Sequence, residues 1–327
     1  MATGRINWLN RLAAVTVWAL SASAGAANLE AGTVPSKDDL PKTLKGHVMT
    51  LVSDIGERSV ERGRGLDRAR AYVIDVLDKA GLHVREQTYT YKGRPAQREV
   101  ANIIATLPDY TELTPPYLVG AHYDTVWGTP GADDNASGVA VLLELAKRAV
   151  VDPLPVPVTF VAFTLEEPPS FGTDHQGSRV FVRNLRDKGQ EVAGAIVLEM
   201  VGMTKPDQEY PLALRLAGYP NRGDFIGVVG NSNSKVFGKR VVAGMRQNPA
   251  LPVETLYVWL NGWLLPDTRL SDHASFWDVG IPALMVTDTA YFRNPNYHNP
   301  GDRPETLDYR FMAELVDSLD RALRSLP

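Results

Sequence analysis

The chain has 327 residues, and its content of 44% hydrophobic and 8% aromatic residues is that of a folded protein with a large core, which excludes a disordered chain. The formal net charge is −4 at pH 7, so nucleic acid is not an expected partner. Cysteine is absent from the sequence, which excludes disulfides, thiolate nucleophiles and cysteine ligands, so any metal must be bound by nitrogen and oxygen atoms.

The first 26 residues have the three parts of a secretory signal peptide. Arg5 and Arg11 precede an apolar run, Leu12–Leu20, and the small residues that follow include Ala24-Gly25-Ala26, an A-x-A cleavage site. A membrane anchor is the alternative, but the apolar run is shorter than the roughly 20 residues that span a bilayer. We therefore predict a signal peptide over 1–26, export to the periplasm or the medium, and no stable membrane insertion of the mature chain.

Apolar runs separated by polar turns continue from residue 27 to the end without repeats, and they predict a single domain over 27–327. Helical spacing predicts a helix over 66–82, and the alternation that follows predicts a strand over 84–91. Runs typical of strands buried on both faces are 100–107, 117–122, 156–164, 195–201 and 281–287. Further helices are predicted at 137–150, 234–245 and 307–326. This pattern predicts an α/β fold.

The first candidate for chemistry is His122-Tyr123-Asp124, at the end of the predicted strand over 117–122. His122 can bind a metal through one ring nitrogen while Asp124 accepts a hydrogen bond from the other, which fixes the tautomer of the imidazole. The alternative is an ordinary strand end with a polar residue turned to solvent. The short motif alone does not decide between them.

A second candidate is the glycine-bounded segment Gly131–Gly138, which holds the adjacent carboxylates Asp133 and Asp134. A tight loop of small residues can bring one carboxylate to a pair of cations and neutralise both. The alternative is a helix start in which Asp133, Asp134 or Asn135 caps free backbone amides. The two roles are compatible, because only one carboxylate needs to face the metals.

Three more carboxylates and one imidazole follow in the sequence. Glu166-Glu167 comes directly after a predicted strand, where unpaired charges are unfavourable. One of the pair can bind a cation while its neighbour transfers a proton, although a solvated loop is equally compatible with the sequence. Glu199 interrupts an apolar run and needs a partner if it is buried, whereas His298, in a polar loop, carries little signal by itself.

Most of these residues fall at comparable places in the predicted fold. His122, the pair Glu166-Glu167 and Glu199 lie at or just past the ends of predicted strands, which is where α/β sheets place their sites. Residues far apart in sequence are therefore expected to converge there. Asp272 and His273 form another polar cluster, and we expect them around the metal ligands rather than among them.

Taken together, these segments resemble peptidase family 28 of the metallopeptidases, which includes secreted bacterial aminopeptidases. The resemblance covers the chain from about Lys45 to Leu326, in the family's order and with similar spacings. The segments that carry it are His122-Tyr123-Asp124, Gly131–Gly138, Glu166-Glu167, Ser271–Phe276 and His298.

The resemblance implies an α/β three-layer sandwich in which helices flank a central mixed, mostly parallel sheet, as in zinc exopeptidases. It also implies two zinc ions per chain, with peptides or small protein-derived molecules as substrates. The roles it implies are these: His122 and Glu199 bind one zinc, Glu167 and His298 bind the other, Asp134 bridges them, Glu166 is the general acid and base, and Asp124 orients His122.

Two features depart from the pattern that is common in the family. Glu199 stands where many relatives have Asp, and the longer side chain can alter the geometry or affinity at that metal. The turn after the acidic pair is also longer, because Pro168–Gln176 precedes Gly177, and we expect this extra loop over the cleft. A second rim segment is Tyr257–Leu265, whose aromatic residues are equally compatible with core packing.

The function implied by the resemblance is hydrolysis of peptide bonds by a metallopeptidase, with removal of single residues from the N-terminus as the preferred interpretation. Three alternatives share much of the pattern. One is a carboxypeptidase or another amide hydrolase of the same family. A carboxypeptidase would use basic residues to hold a substrate carboxylate, and Arg269 and Arg293 lie in suitable segments but are equally compatible with ordinary surface charges. A glutaminyl cyclase-like acyltransferase would act with one zinc, and a non-catalytic binding module would have lost ligands that this sequence retains.

Overall fold

A computed structural model of the chain describes residues 35–62, 64–94, 96–108 and 114–327, without the side chains of residues 212 and 213. The predicted signal peptide, 1–26, lies outside the described residues, and the start of the domain at residue 27 stays a prediction. In the part of the chain that is described, no helix is both long enough and apolar enough to cross a membrane.

Eight β-strands occur in the described ranges: β1 (His83–Tyr91), β2 (Arg98–Thr106), β3 (Tyr117–His122), β4 (Val158–Phe163), β5 (Gly194–Leu198), β6 (Ile226–Asn231), β7 (Val253–Val258) and β8 (Ala283–Thr287). They form one sheet in the order β1-β2-β4-β3-β5-β8-β6-β7. Pairing is parallel between β4 and β3, β3 and β5, β5 and β8, and β6 and β7, and antiparallel elsewhere. The predicted mixed, mostly parallel sheet is confirmed.

The same ranges contain eight α-helices: α1 (Leu40–Met49), α2 (Arg64–Lys79), α3 (Gly138–Val151), α4 (Gly177–Asp187), α5 (Leu212–Leu216), α6 (Lys235–Met245), α7 (His273–Trp277) and α8 (Tyr309–Arg324). Buried residues of α1, α2, α3, α6 and α8 share one hydrophobic cluster on one face of the sheet. Those of α4 and α7 form a second cluster on the other face. The result is the predicted three-layer α/β sandwich.

Both faces of the central strands are buried. In β5, Ile196 and Leu198 join the cluster of the first helix layer, whereas Ala195 and Val197 join that of the second. Because successive side chains of a strand point to opposite faces, a strand covered on both sides is apolar throughout. This is the property that made these strands visible as continuous apolar runs in the sequence.

The predicted elements agree with the observed ones to within a few residues at their ends. The strand predicted over 117–122 coincides with β3, and the helices predicted at 66–82, 137–150, 234–245 and 307–326 correspond to α2, α3, α6 and α8. Two strands, β6 and β7, and four helices, α1, α4, α5 and α7, were not predicted. Gly227 and Gly230 weaken the strand pattern of β6, because glycine supplies no side chain to a buried face.

The sheet topology places the candidate residues at one edge. β3 lies between β4 and β5 and is parallel to both, so the carboxyl ends of the three strands meet at the same edge. His122 is the last residue of β3 and pairs with Phe163, the last residue of β4. Glu166 and Glu167 follow β4, and Glu199 follows β5 directly. Convergence at the ends of the strands, which the sequence predicted, therefore occurs.

Candidate metal centre

Three carboxylates surround one ring nitrogen of His122. Its Nε2 lies 3.2 Å from Oδ1 of Asp134, 3.5 Å from Oε1 of Glu199 and 3.9 Å from Oε2 of Glu166. All four side chains are buried. An imidazole nitrogen that faces several carboxylate oxygens is a donor set suited to zinc.

Asp134 lies between the two histidines that the sequence singled out. Its Oδ1 faces Nε2 of His122 at 3.2 Å, and its Oδ2 faces Nε2 of His298 at 3.3 Å. Nε2 of His298 also lies 3.1 Å from Oε2 of Glu167. Each imidazole therefore faces a different oxygen of Asp134. A further carboxylate lies beside each of them, Glu199 beside His122 and Glu167 beside His298.

The loop before α3 turns Asp134 toward the histidines and Asp133 away from them. The carboxylate of Asp302 accepts the backbone N–H of Asp133 at 2.9 Å with one oxygen and that of Asp134 at 3.0 Å with the other. The Asp133 carboxylate accepts hydrogen bonds from the backbone of Gly202 and the side chain of Asn294. Asp134 is left as the carboxylate of this pair that faces the centre.

Asn135 supplies the helix-start role that the sequence also suggested for this segment. Its Oδ1 accepts the backbone N–H of Gly138 at 3.2 Å and that of Met200 at 3.2 Å, while its Nδ2 donates to the carbonyl of Leu198 at 2.8 Å. The segment therefore caps α3 and presents a carboxylate at the same time. The bonds with Leu198 and Met200 also hold this segment against the end of β5.

A buried arginine that the sequence analysis did not single out joins two loops beneath the centre. Nε of Arg58 donates to the carbonyl of Tyr123 at 2.9 Å, Nη1 to that of Pro130 at 2.8 Å and Nη2 to that of Gly131 at 2.7 Å. Burial lowers the pKa of Arg58 to about 10, which leaves it positively charged at neutral pH. Its guanidinium holds the segment after β3 against the segment before α3.

Asp124 fixes the acidic pair directly. Its Oδ1 accepts the backbone N–H of Glu166 at 3.1 Å, and its Oδ2 accepts that of Glu167 at 3.0 Å. Its Oδ1 lies 3.5 Å from Nδ1 of His122, somewhat beyond the usual hydrogen-bond limit of about 3.2 Å. Asp124 thus faces the ring nitrogen that does not point at the other carboxylates, where an orienting carboxylate would lie, and it also positions two candidate site residues.

Glu199 is held from both ends. Its backbone N–H donates to the carbonyl of Val286 in β8 at 2.9 Å, which fixes the chain just beyond β5. Its Oε2 accepts a hydrogen bond from the hydroxyl of Ser271 at 2.6 Å, while Oε1 faces His122. Ser271 belongs to a motif quoted from the sequence, but its contact with Glu199 was not predicted.

The two residues expected around the ligands, Asp272 and His273, behave differently from each other. Asp272 is buried and accepts a hydrogen bond from Gln176 at 3.1 Å. Burial raises the pKa of Glu166, and the charge of Asp272 adds to this effect. The ring of His273 turns away, with Nε2 2.8 Å from the carbonyl of Thr268, and burial lowers its pKa to about 4. His273 is therefore a neutral packing residue of α7 whose ring bonds the backbone of Thr268, and its place near the ligands stays a prediction.

The backbone bends sharply beside the candidate ligands. Leu165, just before the acidic pair, has φ 55°, Met200, just after Glu199, has φ 50°, and His298 itself has φ 55°. Residues other than glycine seldom adopt this left-handed region, and such conformations cluster at functional sites because the surrounding structure must enforce them. The ring of Tyr297 stacks on that of His298, with centroids 3.7 Å apart.

Several polar atoms at the centre are buried without a hydrogen-bond partner in the described structure. They include both ring nitrogens of His122, Oδ1 of Asp134 and Oε1 of Glu167. One ligand atom from each of these three residues lies within 4.8 Å of those from the other two. Buried polar groups left unpaired are destabilising by roughly 2 to 7 kcal/mol, so a bound cation would relieve a real penalty. The residues present fit a metal that prefers nitrogen and oxygen donors.

The protonation of the centre also fits a site that binds a metal ion. Burial and the carboxylate of Asp134 raise the pKa of Glu167 to about 8. Burial opposes protonation of His298, but Asp134 and Glu167 outweigh it and raise its pKa to about 10. Without a metal, protons therefore neutralise part of the excess negative charge, and these are the protons that a metal ion displaces.

The longer turn after the acidic pair packs against the protein. The Gln176 side chain is buried in contact with Asp272, and the hydroxyl of Tyr89 donates to the carbonyl of His175 at 2.8 Å. A cavity beside Glu199 is lined by none of residues 168–176, all of which are described. The expected cover over the cleft is not found at this cavity.

The second candidate rim, Tyr257–Leu265, is divided between core and surface. Tyr257 and Val258 end β7, and Val258 is buried. Trp259 and Trp263 are 76% and 66% exposed, so core packing does not explain them. Core packing is therefore excluded for the two tryptophans, and their place at a rim of the cleft stays a prediction.

Arg269 and Arg293 are buried and bound to partners within the protein. Arg269 pairs with Asp278 at 2.6 Å, and Arg293 donates to the side chain of Gln208 at 2.8 Å and to the carbonyl of Phe225 at 2.9 Å. Neither is an ordinary surface charge. Their contacts within the protein make both poorer candidates for a clamp on a substrate carboxylate, although Nη2 of Arg293 has no hydrogen-bond partner among the described residues.

Comparison with known proteins identifies the family. The model of peptidase family M28 matches residues 102–321. The chain belongs to this family. Uncharacterized protein YfbL of Escherichia coli (strain K12) is 36% identical over 291 residues, which cover 85% of this chain and 86% of that protein. A probable leucine aminopeptidase of Trichophyton verrucosum is 28% identical over 294 residues, which cover 85% of this chain and 70% of that protein.

Solved structures share the fold of this M28 chain. A Zn-dependent exopeptidase from Parabacteroides distasonis matches with a TM-score of 0.66 at 17% identity, over 90% of this chain and 100% of that one. A glutaminyl cyclase from Tannerella forsythia matches with a TM-score of 0.66 at 18% identity, over 88% of this chain and 99% of that one. At these identities the likeness shows the fold alone, whereas the family match confirms the resemblance drawn from the motifs.

Proposed function

We propose that this M28 peptidase is a zinc-dependent aminopeptidase that holds two zinc ions and removes single residues from the N-terminus of peptides. The observation that carries the proposal is the position of Asp134, whose two carboxylate oxygens face two different imidazoles. Membership of a peptidase family supports hydrolysis of peptide bonds, and relatives named leucine aminopeptidases support action at the N-terminus.

The proposed ligands divide between two positions around Asp134. His122 and Glu199 would hold one zinc, and His298 and Glu167 would hold the other, with one oxygen of Asp134 directed to each. When bound, paired zinc ions polarise the scissile carbonyl, lower the pKa of water and stabilise the negative charge that develops on the substrate oxygen. Ser271 would orient Glu199 through its hydrogen bond.

Glu166 is the proposed general base and acid. Its carboxylate lies 3.9 Å from Nε2 of His122 and has no hydrogen-bond partner among the described residues, whereas Asp124 holds its backbone. Burial and the carboxylates of Glu199 and Glu167 raise its pKa, which suits a group that gains and loses a proton at neutral pH. Glu166 would accept a proton from the attacking water and deliver it to the departing amine.

The charge of the centre favours a substrate amine over a substrate carboxylate. Its buried carboxylates are Asp124, Asp134, Glu166, Glu167, Glu199 and Asp272. These six carboxylates outnumber the four positive charges of two zinc ions, and a field of negative sign attracts the α-ammonium group of a peptide and repels its C-terminal carboxylate. Because Arg269 and Arg293 are bound elsewhere, these contacts support an aminopeptidase over a carboxypeptidase.

A glutaminyl cyclase-like transferase is the second candidate, since such an enzyme shares the fold. It would act with one zinc, whereas candidate ligands for two positions are present here. The number of metals per chain therefore separates the two functions.

The deciding experiment measures zinc content and the release of amino acids by the purified mature protein from free, N-blocked and C-blocked peptides. The proposal expects two zinc ions per chain and cleavage of free and C-blocked peptides only. Cleavage of N-blocked peptides from the C-terminus would establish a carboxypeptidase instead. One zinc per chain with cyclisation of N-terminal glutamine would establish the transferase.

We also propose that residues 1–26 are removed on export and that the mature chain acts in the periplasm or the medium. The composition of this segment supports the proposal. Cell fractionation followed by sequencing of the N-terminus should find a protein that begins near residue 27 outside the cytoplasm. An intact N-terminus on cytoplasmic protein would contradict it.

A further inference from the structure

A cavity opens beside the candidate metal centre. Its volume is about 180 Å³, and Glu199 and Tyr297 line it at the end near the centre. Glu199 is a proposed ligand, and Tyr297 stacks on the ring of His298. A peptide whose scissile bond lies at the metal centre would therefore have this cavity directly beside its N-terminal residue.

The floor of the cavity extends across the sheet to its edge strand. Thr287 of β8 pairs with Gly227 of β6, which pairs with Glu254 of β7, and all three residues line the cavity. Glu199 lies just beyond β5, one strand further on. Neighbouring strands are about 4.8 Å apart, so the backbone of Glu254, three strands away, lies about 14 Å across the sheet from the backbone of Glu199. Glu254 is therefore at the end of the cavity remote from the metal centre.

Gly227 keeps this floor open between its two ends. A Cβ atom added to it would meet nothing closer than the carbonyl of Thr287 at 3.4 Å, and its other neighbours would be the side chains of Thr287 and Thr289. Both threonines line the cavity, so a side chain at position 227 would fit the fold and project into this space. The absence of a side chain there leaves a path to Glu254.

Aromatic rings form much of the wall around the remote end. Tyr210 and Tyr219 meet edge to face with centroids 6.2 Å apart, and Phe225 also lines the cavity. Burial and the nearby carboxylate of Glu254 raise the pKa of both tyrosines. A carboxylate beside aromatic rings is the combination that binds an organic cation through charge and cation–π contacts.

The lining has charges of one sign. Its described residues include three carboxylates, Glu199, Glu254 and Asp267, and no lysine, arginine or histidine. Arg293 lies behind the ring of Phe225, 4.7 Å from its centroid, and does not line the cavity. In the part of the chain that is described, Glu254 forms neither an ion pair nor a hydrogen bond through its side chain. Its negative charge is therefore available to a ligand.

We propose, on the basis of the proposed aminopeptidase function, that this cavity binds the side chain of the N-terminal residue, that it selects lysine and arginine, and that Glu254 determines this specificity. Lysine and arginine carry an apolar stem that the walls can cover and a cationic end that can reach Glu254. A leucine side chain would fill the near part only. An acidic side chain would meet the carboxylates of the lining.

Matched pairs of substrates test the charge separately from the size. With zinc-loaded mature enzyme, kcat/KM is measured for the 4-nitroanilides of arginine and citrulline, of lysine and norleucine, and of leucine. We expect arginine to exceed citrulline, and lysine to exceed norleucine, by about tenfold or more, as for a hydrogen bond to a charged group. Ratios near one in the wild type would overturn the proposal.

Two variants and one control locate the effect. Glu254→Gln should lower both ratios about tenfold and change the leucine rate less than threefold, whereas Asp187→Asn, an exposed carboxylate outside the lining, should leave the ratios unchanged. Gly227→Val should reduce cleavage after arginine and lysine and spare alanine 4-nitroanilide, because it shortens the cavity. Unchanged ratios in Glu254→Gln would overturn the role of that residue.

The failure of this inference differs from the failure of the proposed function. Cleavage of leucine without any preference for basic residues would overturn the specificity alone, whereas no cleavage of any aminoacyl substrate would overturn the aminopeptidase. In the latter case, titration calorimetry with argininamide and citrullinamide still tests the cavity. About tenfold tighter binding of argininamide, lost in Glu254→Gln, supports cation recognition, and equal affinities overturn it.

Discussion

Ser271 donates a hydrogen bond of 2.6 Å to one carboxylate oxygen of Glu199, whose other oxygen faces His122. Partners of this kind orient a metal ligand, and their loss typically weakens metal binding about 10- to 100-fold. We expect Ser271→Ala to weaken zinc at the Glu199 position by that factor and to spare zinc at the His298 position. Competition with a chelator, followed by counting zinc per chain, measures both sites.

Ser275→Ala is the matched control for this variant. The hydroxyl of Ser275 is also buried, on the helix that follows Ser271, and it bonds the hydroxyl of Ser178 at 2.8 Å without contact with a proposed ligand. Zinc binding should not change in this control. Equal weakening in both serine variants would indicate a general loss of packing and would contradict the orienting role of Ser271.

Glu166→Gln is expected to separate metal binding from catalysis. The amide keeps the size of the side chain but cannot accept and return a proton, so kcat should fall about 10²- to 10⁴-fold while both zinc ions stay bound. Glu191→Gln, at an exposed position, should leave kcat and zinc unchanged. Loss of zinc from Glu166→Gln would place this residue among the ligands and refute its assignment as proton carrier.

Arg58→Lys tests the buried guanidinium beneath the centre. A lysine ammonium cannot reach the carbonyls of Tyr123, Pro130 and Gly131 together, since it lacks the planar fork of arginine. We expect the free energy of unfolding to fall by about 2 to 4 kcal/mol, measured by denaturant titration. Arg62→Lys, where the side chain is 66% exposed, should change it by less than about 0.5 kcal/mol. Equal stability of Arg58→Lys and wild type would refute the role of Arg58.

The central strands and most of the candidate ligands could be predicted from the sequence for a physical reason. A strand buried on both faces is apolar along its whole length, and a polar residue at its end stands out against that background. His122 and Glu199 stand out in this way, and His298 does so only through its place in the family pattern. The roles of these residues as ligands stay predictions.

The contacts that hold these residues could not be predicted, because they join segments that are far apart in the chain. Asp302 bonds the backbone of Asp133 across 169 positions, and no local pattern marks either partner for the other. Arg58 lies in a turn without periodicity, and its partners are backbone carbonyls, which any sequence provides. Candidate ligands can therefore be recognised from residue type and position in the sequence, whereas the residues that hold them in place become visible only in the folded structure.

Zinc binding to the metal-free protein is expected to release two or more protons per chain at pH 7, those of His298 and Glu167 among them. The pKa of His298 is raised to about 10 and that of Glu167 to about 8, so both groups are protonated at pH 7 until a metal replaces their protons. Calorimetric titrations in buffers of different ionisation enthalpy measure the number. His298→Asn should release about one proton fewer, and proton uptake by the wild type would contradict the prediction.

The buried neutral histidine of α7 should make the protein less stable in mild acid. The pKa of His273 is lowered by burial to about 4 in the fold, against an ordinary value of 6.5 in the unfolded chain. As the pH falls, the unfolded chain therefore takes up this proton first, so the stabilisation is complete above pH 6.5 and is lost progressively toward pH 4. The shift corresponds to about 3 kcal/mol at most.

Denaturant unfolding of metal-free proteins at pH 7 and pH 4 tests this prediction. The loss of unfolding free energy between the two values should be up to about 3 kcal/mol smaller in His273→Gln than in the wild type, because glutamine does not titrate. His83→Gln, at an exposed position, should lose as much as the wild type. If His273→Gln loses as much unfolding free energy as the wild type, protonation of His273 does not control the stability in acid. The loss would then come from other groups, such as the buried carboxylates of the metal centre.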